Sequence, residues 1–157
     1  MKIQEVIRLV LSIAICQFAG ILGALFTAPA IPGWYEALEK PALNPPSWIF
    51  GPVWIFLYLL MGIALFLIWE KGFKNKKVKT AMGIFSIQLI LNALWTPLFF
   101  GAQNPVLAFI DITLLWLAII WTMHAFYKVS KPATYLLIPY IIWVSFAIYL
   151  NASFIGQ

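Results

Sequence analysis

Five stretches of this chain, residues 6–26, 47–69, 80–100, 105–126 and 135–154, run for at least twenty residues with almost no charge. About 20 apolar residues of helix cross the hydrocarbon core of a bilayer. Inside that core every backbone N–H and C=O must find its partner within the protein, which favours helices. The pattern therefore predicts an all-α integral membrane protein, a bundle of five transmembrane helices. Composition agrees, since 64% of residues are hydrophobic and only 10% charged. Soluble domains carry about 25% charged residues. No linker, low-complexity tract or internal repeat interrupts the sequence, so residues 1–157 read as one domain.

The first stretch has the outline of a secretory signal, with Lys2 and Arg8 ahead of an apolar run and Ala28-Pro29-Ala30 after it. Its apolar run exceeds the roughly 7–15 residues of a signal core. With four more spans following, it is read as a helix of the mature protein. Basic residues then set the orientation. The N-terminal segment carries Lys2 and Arg8, the second connection Lys71, Lys74, Lys76, Lys77 and Lys79, and the fourth Lys128 and Lys131. The opposite side has only Lys40. The positive-inside rule places the N-terminus in the cytoplasm, and the C-terminus and first connection on the outer side of the membrane. These lysines face anionic lipid headgroups and call for no nucleic acid. Cys16 is alone, so no intramolecular disulfide forms.

Residues 27–46 form an unusually long connection, where loops that long are often functional. Residues 34–40 could make two helical turns, stopped by Pro41. Two readings stand side by side: a lid over the outer end of the bundle, or an interfacial anchor built from Trp34 and Tyr35.

Polar residues inside spans are the informative ones, because lipid solvates them poorly. Gln17, Gln88, Asn92 and Asp111 are such residues. At 1.5 Å per residue, Gln17 and Asn92 lie about 14 and about 12 Å below the outer ends of their spans, and Asp111 about 9 Å. Trp54 and Trp143 fall about 10 and about 16 Å deep on the same rise. Gln88, Asn92, Trp95 and Phe99 share one face of the third span, and Tyr140, Trp143, Ala147 and Asn151 one face of the fifth. Gln17, Gly20, Ala24 and Thr27 share a face of the first. Large aromatics opposite small residues suit a cavity for a flat ligand. The same spacing also suits close helix packing or a dimer contact, through Ala19 and Gly23 or Gly20 and Ala24. Asp111 needs a partner or a proton in the membrane: a structural hydrogen bond to Asn92, at similar depth, is the first reading and a proton-coupled role the alternative.

Enzyme signatures are sparse. One His and one Cys do not make a zinc site of the usual kind. Asp111 and His124, thirteen residues apart on one helix, are about 20 Å from each other. No phosphate-binding glycine loop is present, and neither metal nor cofactor is expected.

Three blocks carry a resemblance. Trp34-Tyr35-x-x-Leu38-x-Lys40-Pro41-x-x-x-Pro45-Pro46-x-Trp48-x-x-x-Pro52-x-Trp54 resembles the signature of the translocator protein family, also called the tryptophan-rich sensory proteins. Gln88-Leu89-x-Leu91-Asn92-x-x-Trp95-x-Pro97-x-Phe99-Phe100-Gly101 is similar to the family's third helix. Pro139-Tyr140-x-x-Trp143 with Leu150-Asn151 is similar to its fifth. The resemblance implies a five-helix bundle, frequently a homodimer, with a pocket capped by the first loop. That pocket takes porphyrins such as protoporphyrin IX, and in some members synthetic isoquinoline and benzodiazepine-type compounds.

Carried over position by position, the pocket comprises Ala24 and Thr27 in the first span and Phe50, Gly51 and Trp54 in the second. It continues with Asn92 and Trp95 in the third, Ile110 and Leu114 in the fourth, and Trp143, Ala147 and Leu150 in the fifth. Tyr35 and Pro45 belong to the cap, and residues 40–46 form its proline-stiffened hinge. Pro52 is expected to loosen the second helix beside Trp54. The resemblance implies a receptor or sensor for porphyrins. Light-dependent porphyrin breakdown, using Trp54 and Trp143, and transport are the alternatives. Two departures bear on ligand choice. The fifth span lacks the basic residue of the sterol motif found in animal members, leaving only the reversed pattern Lys131-x-x-x-Tyr135-x-Leu137. Leu107 stands where some relatives have a pocket tryptophan.

Overall fold

The computed structural model describes residues 1–157. It contains α1 (Ile3–Ala30), α2 (Phe50–Trp69), α3 (Lys76–Thr96), α4 (Pro105–Tyr127), α5 (Lys131–Leu136) and α6 (Ile138–Ser153), and no strands. With α5 and α6 counted together, five helical segments are long and apolar enough to cross a membrane. The chain is a multi-pass membrane protein.

Side chains fix several helix starts. Asn75 accepts a hydrogen bond from Lys77 N at 2.9 Å at the head of α3. Asn104 accepts from Leu107 N at 3.1 Å at the head of α4, where Pro105 occupies a position that needs no N–H donor. Ser130 caps α5 through Ala133 N at 3.4 Å.

Prolines shape the ends, and here the structure departs from expectation. The first span was expected to end near Phe26. Instead α1 runs on through Pro29 and passes into a π-helical turn, Ile31–Tyr35, that contains Pro32. A π turn shifts the hydrogen-bond ladder by one residue, so the chain absorbs a missing donor without ending the helix; Glu36 N reaches Ile31 O. The whole segment, Ile3–Tyr35, has 33 residues, about 50 Å of rise. The twenty-residue connection shrinks accordingly, and Trp34 and Tyr35 sit at the end of a helix rather than on a free loop. Pro97 starts a second π turn, Pro97–Gly101, closed by Ala102 N on Pro97 O at 2.7 Å. In the fifth span Pro139 separates α5 from α6, with Leu137 at the break. Pro52 does not loosen α2. It lies in the first turn, where its missing N–H costs little, and α2 continues to Trp69.

Two apolar clusters hold the bundle. The larger, with Met61, Ile68, Phe85, Ile119 and Phe126, fills the half nearer the lysine-bearing connections. The smaller, with Ala30, Tyr35, Phe99, Phe100, Leu150 and Phe154, closes the other end. Helices α1 and α2 meet closely at Gly62, where a Cβ would lie 2.6 Å from Ile13 Cα. Gly20 faces the Tyr58 ring and Gly23 the Thr96 side chain, at 2.7 and 3.1 Å from an added Cβ. Both small residues therefore serve contacts within the chain.

Candidate functional site

Between the two clusters lies a cavity of about 500 Å³, within the 300–1,000 Å³ typical of small-molecule sites. Helix α1 supplies Gln17, Gly20, Ala24 and Thr27, and α2 supplies Phe50, Gly51, Trp54 and Tyr58. Asn92 and Trp95 come from α3, Ile112 and Leu115 from α4, and Trp143, Ala147, Leu150 and Asn151 from α6. Tyr35, Phe99, Phe100 and Phe154 form the roof. Polar and aromatic groups from separate helices thus meet at one depth, as the spacing of the sequence predicts. On the α1–α2 side the lining residues Ala24, Gly51 and Ile55 are exposed, so the cavity reaches the protein surface there.

A buried hydrogen-bond chain forms the floor. Tyr58 OH donates to Asn92 Oδ1 at 2.5 Å, and Asn92 Nδ2 donates to Tyr140 OH at 2.7 Å. Tyr140 OH in turn donates to Gln88 Oε1 at 2.8 Å. One asparagine thereby ties α2, α3 and α6 together. The expected bond between Asn92 and Asp111 does not form, because the Asn92 amide is already engaged by two phenols. Asp111 is buried, and its Oδ2 has no hydrogen-bond partner. Above the floor, Trp95 Nε1 donates to Asn151 Oδ1 at 2.9 Å, and Asn151 Nδ2 donates to Pro105 O at 2.8 Å. The Trp95 indole is thus fixed against α6 and the head of α4, and it stacks on Phe99 at 4.9 Å.

Of the other cavity tryptophans, Trp48 is largely exposed at the rim, and Trp54 and Trp143 are held by aromatic contact. Trp54 lies 5.6 Å from Tyr58 and 6.4 Å, edge to face, from Tyr140. Trp143 meets Phe50 edge to face at 6.1 Å, and its buried Nε1 has no partner. Such pairs each add about 0.5–1.5 kcal/mol beyond area burial.

The roof is tethered at several points. Tyr35 packs on Phe50, Phe100 and Phe154 at 6.5, 5.7 and 5.8 Å. Its hydroxyl donates to Asn44 Oδ1 at 3.2 Å across the following turn. Lys40 Nζ donates to the carbonyls of Tyr35, Glu36 and Leu38 at 2.9, 3.2 and 3.0 Å, which ties the lysine to the carbonyls at a helix end. Glu39 N donates to Gln157 Oε1 at 2.6 Å, and Gln157 Nε2 donates back to Glu39 O at 2.9 Å.

Eleven residues named from the sequence line this cavity: Ala24, Thr27, Tyr35, Phe50, Gly51, Trp54, Asn92, Trp95, Trp143, Ala147 and Leu150. Three do not. Ile110 and Leu114 are 53% and 49% exposed on the outer side of α4. The cavity side of α4 carries Ile112 and Leu115, 2% and 1% exposed. The helix is rotated so that Ala108, Asp111, Ile112, Leu115 and Ile119 face inward, a stripe at helical spacing. Pro45 supports the turn below the roof, where its carbonyl accepts from Asn44 Nδ2 at 3.2 Å, and does not reach the wall. Sequence reasoning missed Tyr58 and Phe154. The four-residue step from Trp54 marks Tyr58, whereas Phe154 carries no comparable signal.

Fold and cavity together define a polytopic membrane protein with an aromatic, ligand-sized chamber inside a five-helix bundle. Residues 12–156 match the TspO/MBR family, and the chain belongs to it. It is 45% identical over 148 residues to the tryptophan-rich protein TspO of Chlorobaculum tepidum, covering 94% of each chain. To the protein of that name in Archaeoglobus fulgidus it is 46% identical over 149 residues, 94% of this chain and 95% of the relative. The translocator protein of Bos taurus is 41% identical over 136 residues, 86% of this chain and 80% of the relative.

Proposed function

We propose that this protein is a membrane receptor or sensor that binds porphyrins and similar flat hydrophobic molecules in the intrabundle cavity. The observation that carries this reading is the chamber of about 500 Å³ walled by Trp54, Trp95 and Trp143 beneath the Tyr35 roof. Broad apolar faces match a planar macrocycle, and the amides of Asn92 and Asn151 set a polar floor and edge. Membership of the TspO/MBR family supports it, as does a relative in Cereibacter sphaeroides called a tryptophan-rich sensory protein. The lysine-rich face is assigned to the cytoplasm of a bacterial cell by the positive-inside rule, which puts the roof outside. The resemblance further implies a homodimer, and the absence of a basic residue after Tyr149 argues against a sterol site at the end of α6.

Titrating the purified protein with protoporphyrin IX and following tryptophan quenching tests the assignment. Saturable quenching that weakens in Trp143→Ala supports it; identical curves for the two proteins overturn it. One observation favours a second reading, light-driven porphyrin breakdown. Trp54 stands against both Tyr58 and Tyr140, a cluster of oxidisable rings beside the chamber. Illumination of the bound complex in air, with Trp54→Phe and Trp143→Phe as controls, separates the readings. Tetrapyrrole loss that depends on both indoles marks chemistry, and stable complexes mark a receptor.

A further inference from the structure

A second concavity, of about 260 Å³, lies where the beginning of α3 meets the end of α4. It shares no lining residue with the aromatic chamber. Lys76, Lys77 and Thr80 approach from α3, and His124 and Lys128 from the α4 side. Its remaining wall is apolar: Ile84, Ala125 and the Trp121 indole.

No carboxylate lines this groove. The nearby connections and the N-terminal segment contain only two acids, Glu5 and Glu70. Glu70 pairs with Arg8 at 3.0 Å, the one ion pair in the structure. Glu5 Oε2 accepts from Lys2 N at 3.1 Å. Three ammonium groups from two helices therefore border one concavity without a counter-charge. Asn75 already caps the first turn of α3, so the uncompensated charge belongs to the side chains. Trp121 is 52% exposed and lies six residues before Tyr127 at the end of α4, about 9 Å deeper into the bilayer. The groove is cationic at its mouth and apolar below, the polarity of an anionic amphiphile.

We propose that this groove is a binding site for an anionic phospholipid. Its phosphate sits among Lys76, Lys77 and Lys128, and its acyl chain runs along Trp121. Lys71 and Lys74, outside the groove, attract any anionic surface in proportion to their charge. The groove instead brings three charges to one headgroup and adds a hydrocarbon contact, which selects a lipid over free phosphate.

The test uses the full-length protein in neutral detergent and counts retained lipids by native mass spectrometry, offering phosphatidylglycerol and phosphatidylcholine together. Wild type is expected to retain phosphatidylglycerol over phosphatidylcholine by about tenfold or more. The triple substitution Lys76→Gln, Lys77→Gln and Lys128→Gln abolishes that preference. The charge-matched triple Lys71→Gln, Lys74→Gln and Lys79→Gln keeps it. Trp121→Ala weakens lipid retention, and excess inorganic phosphate does not displace the lipid. Equal losses in the two triples, or no headgroup preference in wild type, overturn the site. Displacement by inorganic phosphate with no effect of Trp121→Ala overturns the lipid assignment in favour of a free anion. Circular dichroism checks each fold, and Lys128→Gln alone, a change at an exposed position, serves as the milder variant with the same expected direction.

Discussion

Replacing Gly62 by alanine puts a methyl group where α1 and α2 have no room for one. The added Cβ would lie 2.6 Å from Ile13 Cα and 3.0 Å from Ile13 N. Ordinary carbon contacts are about 3.5–4.0 Å, so α1 has to retreat by about 1 Å along this seam. Ile13 Cγ1 lies 2.9 Å away as well, but two of the three obstructing atoms are backbone, and no rotamer change relieves those. Overpacking of this kind costs about 1–3 kcal/mol. Against it stands the gain in helix propensity from glycine to alanine, about 0.8–1 kcal/mol. Gly83→Ala isolates that gain, because a Cβ at this α3 position meets nothing within 4 Å. Gly83→Ala should therefore be more stable than wild type, and Gly62→Ala less stable than Gly83→Ala by about 1–3 kcal/mol. Unfolding in mixed micelles of increasing SDS content, followed by circular dichroism, measures the difference. Equal stabilities for the two variants would refute the tight α1–α2 contact that anchors the cavity's first wall.

Asn92→Leu removes the amide that joins Tyr58 to Tyr140 and should cost about 1–3 kcal/mol in the same assay, because the Tyr58 hydroxyl is left buried without an acceptor. Asp111→Leu should raise the unfolding midpoint, since it replaces a buried acid with one unpartnered oxygen by a side chain that lipid and core both accept. Gln157→Ala breaks the paired bonds to Glu39, and Pro45→Ala with Pro46→Ala frees the chain beneath the roof. Both changes should speed porphyrin release in stopped-flow measurements while the association rate changes less. Asn151→Leu should broaden and shift tryptophan emission, as Trp95 loses its only hydrogen-bond acceptor.

Much of this architecture was legible in the sequence because hydrocarbon leaves few choices. Runs of twenty apolar residues fix the number of spans, and polar residues within them fix which faces turn inward. Gln88, Asn92, Trp95 and Phe99 illustrate this, since each is engaged within the bundle. The span ends were harder to read. Pro29, Pro32 and Pro97 look like helix stops, yet π turns absorb two of them and α1 carries the third in its interior. The fourth span was the least informative. Its residues are apolar almost all round, so position-by-position analogy put Ile110 and Leu114 on the wall, while packing against α3 and α6 turned Ile112 and Leu115 there. Asp111 was the available clue, because a buried acid marks the inward face and its neighbour Ile112 follows it. The partners of Asn92 were also hidden, since depth along a helix does not say which phenol on another helix reaches an amide.

The central claim is that a flat ligand sits inside the bundle rather than against its lipid-facing surface. Equilibrium titration of protoporphyrin IX into Ala147→Phe and Ile110→Phe tests it most directly. Ala147 is buried on the cavity wall and Ile110 faces outward, so both variants add the same ring at different addresses. The account predicts that Ala147→Phe weakens binding by about tenfold or more, the loss of about 1.4 kcal/mol of contact, and that Ile110→Phe binds as wild type does. Unchanged affinity in Ala147→Phe, or weakening confined to Ile110→Phe, would contradict it.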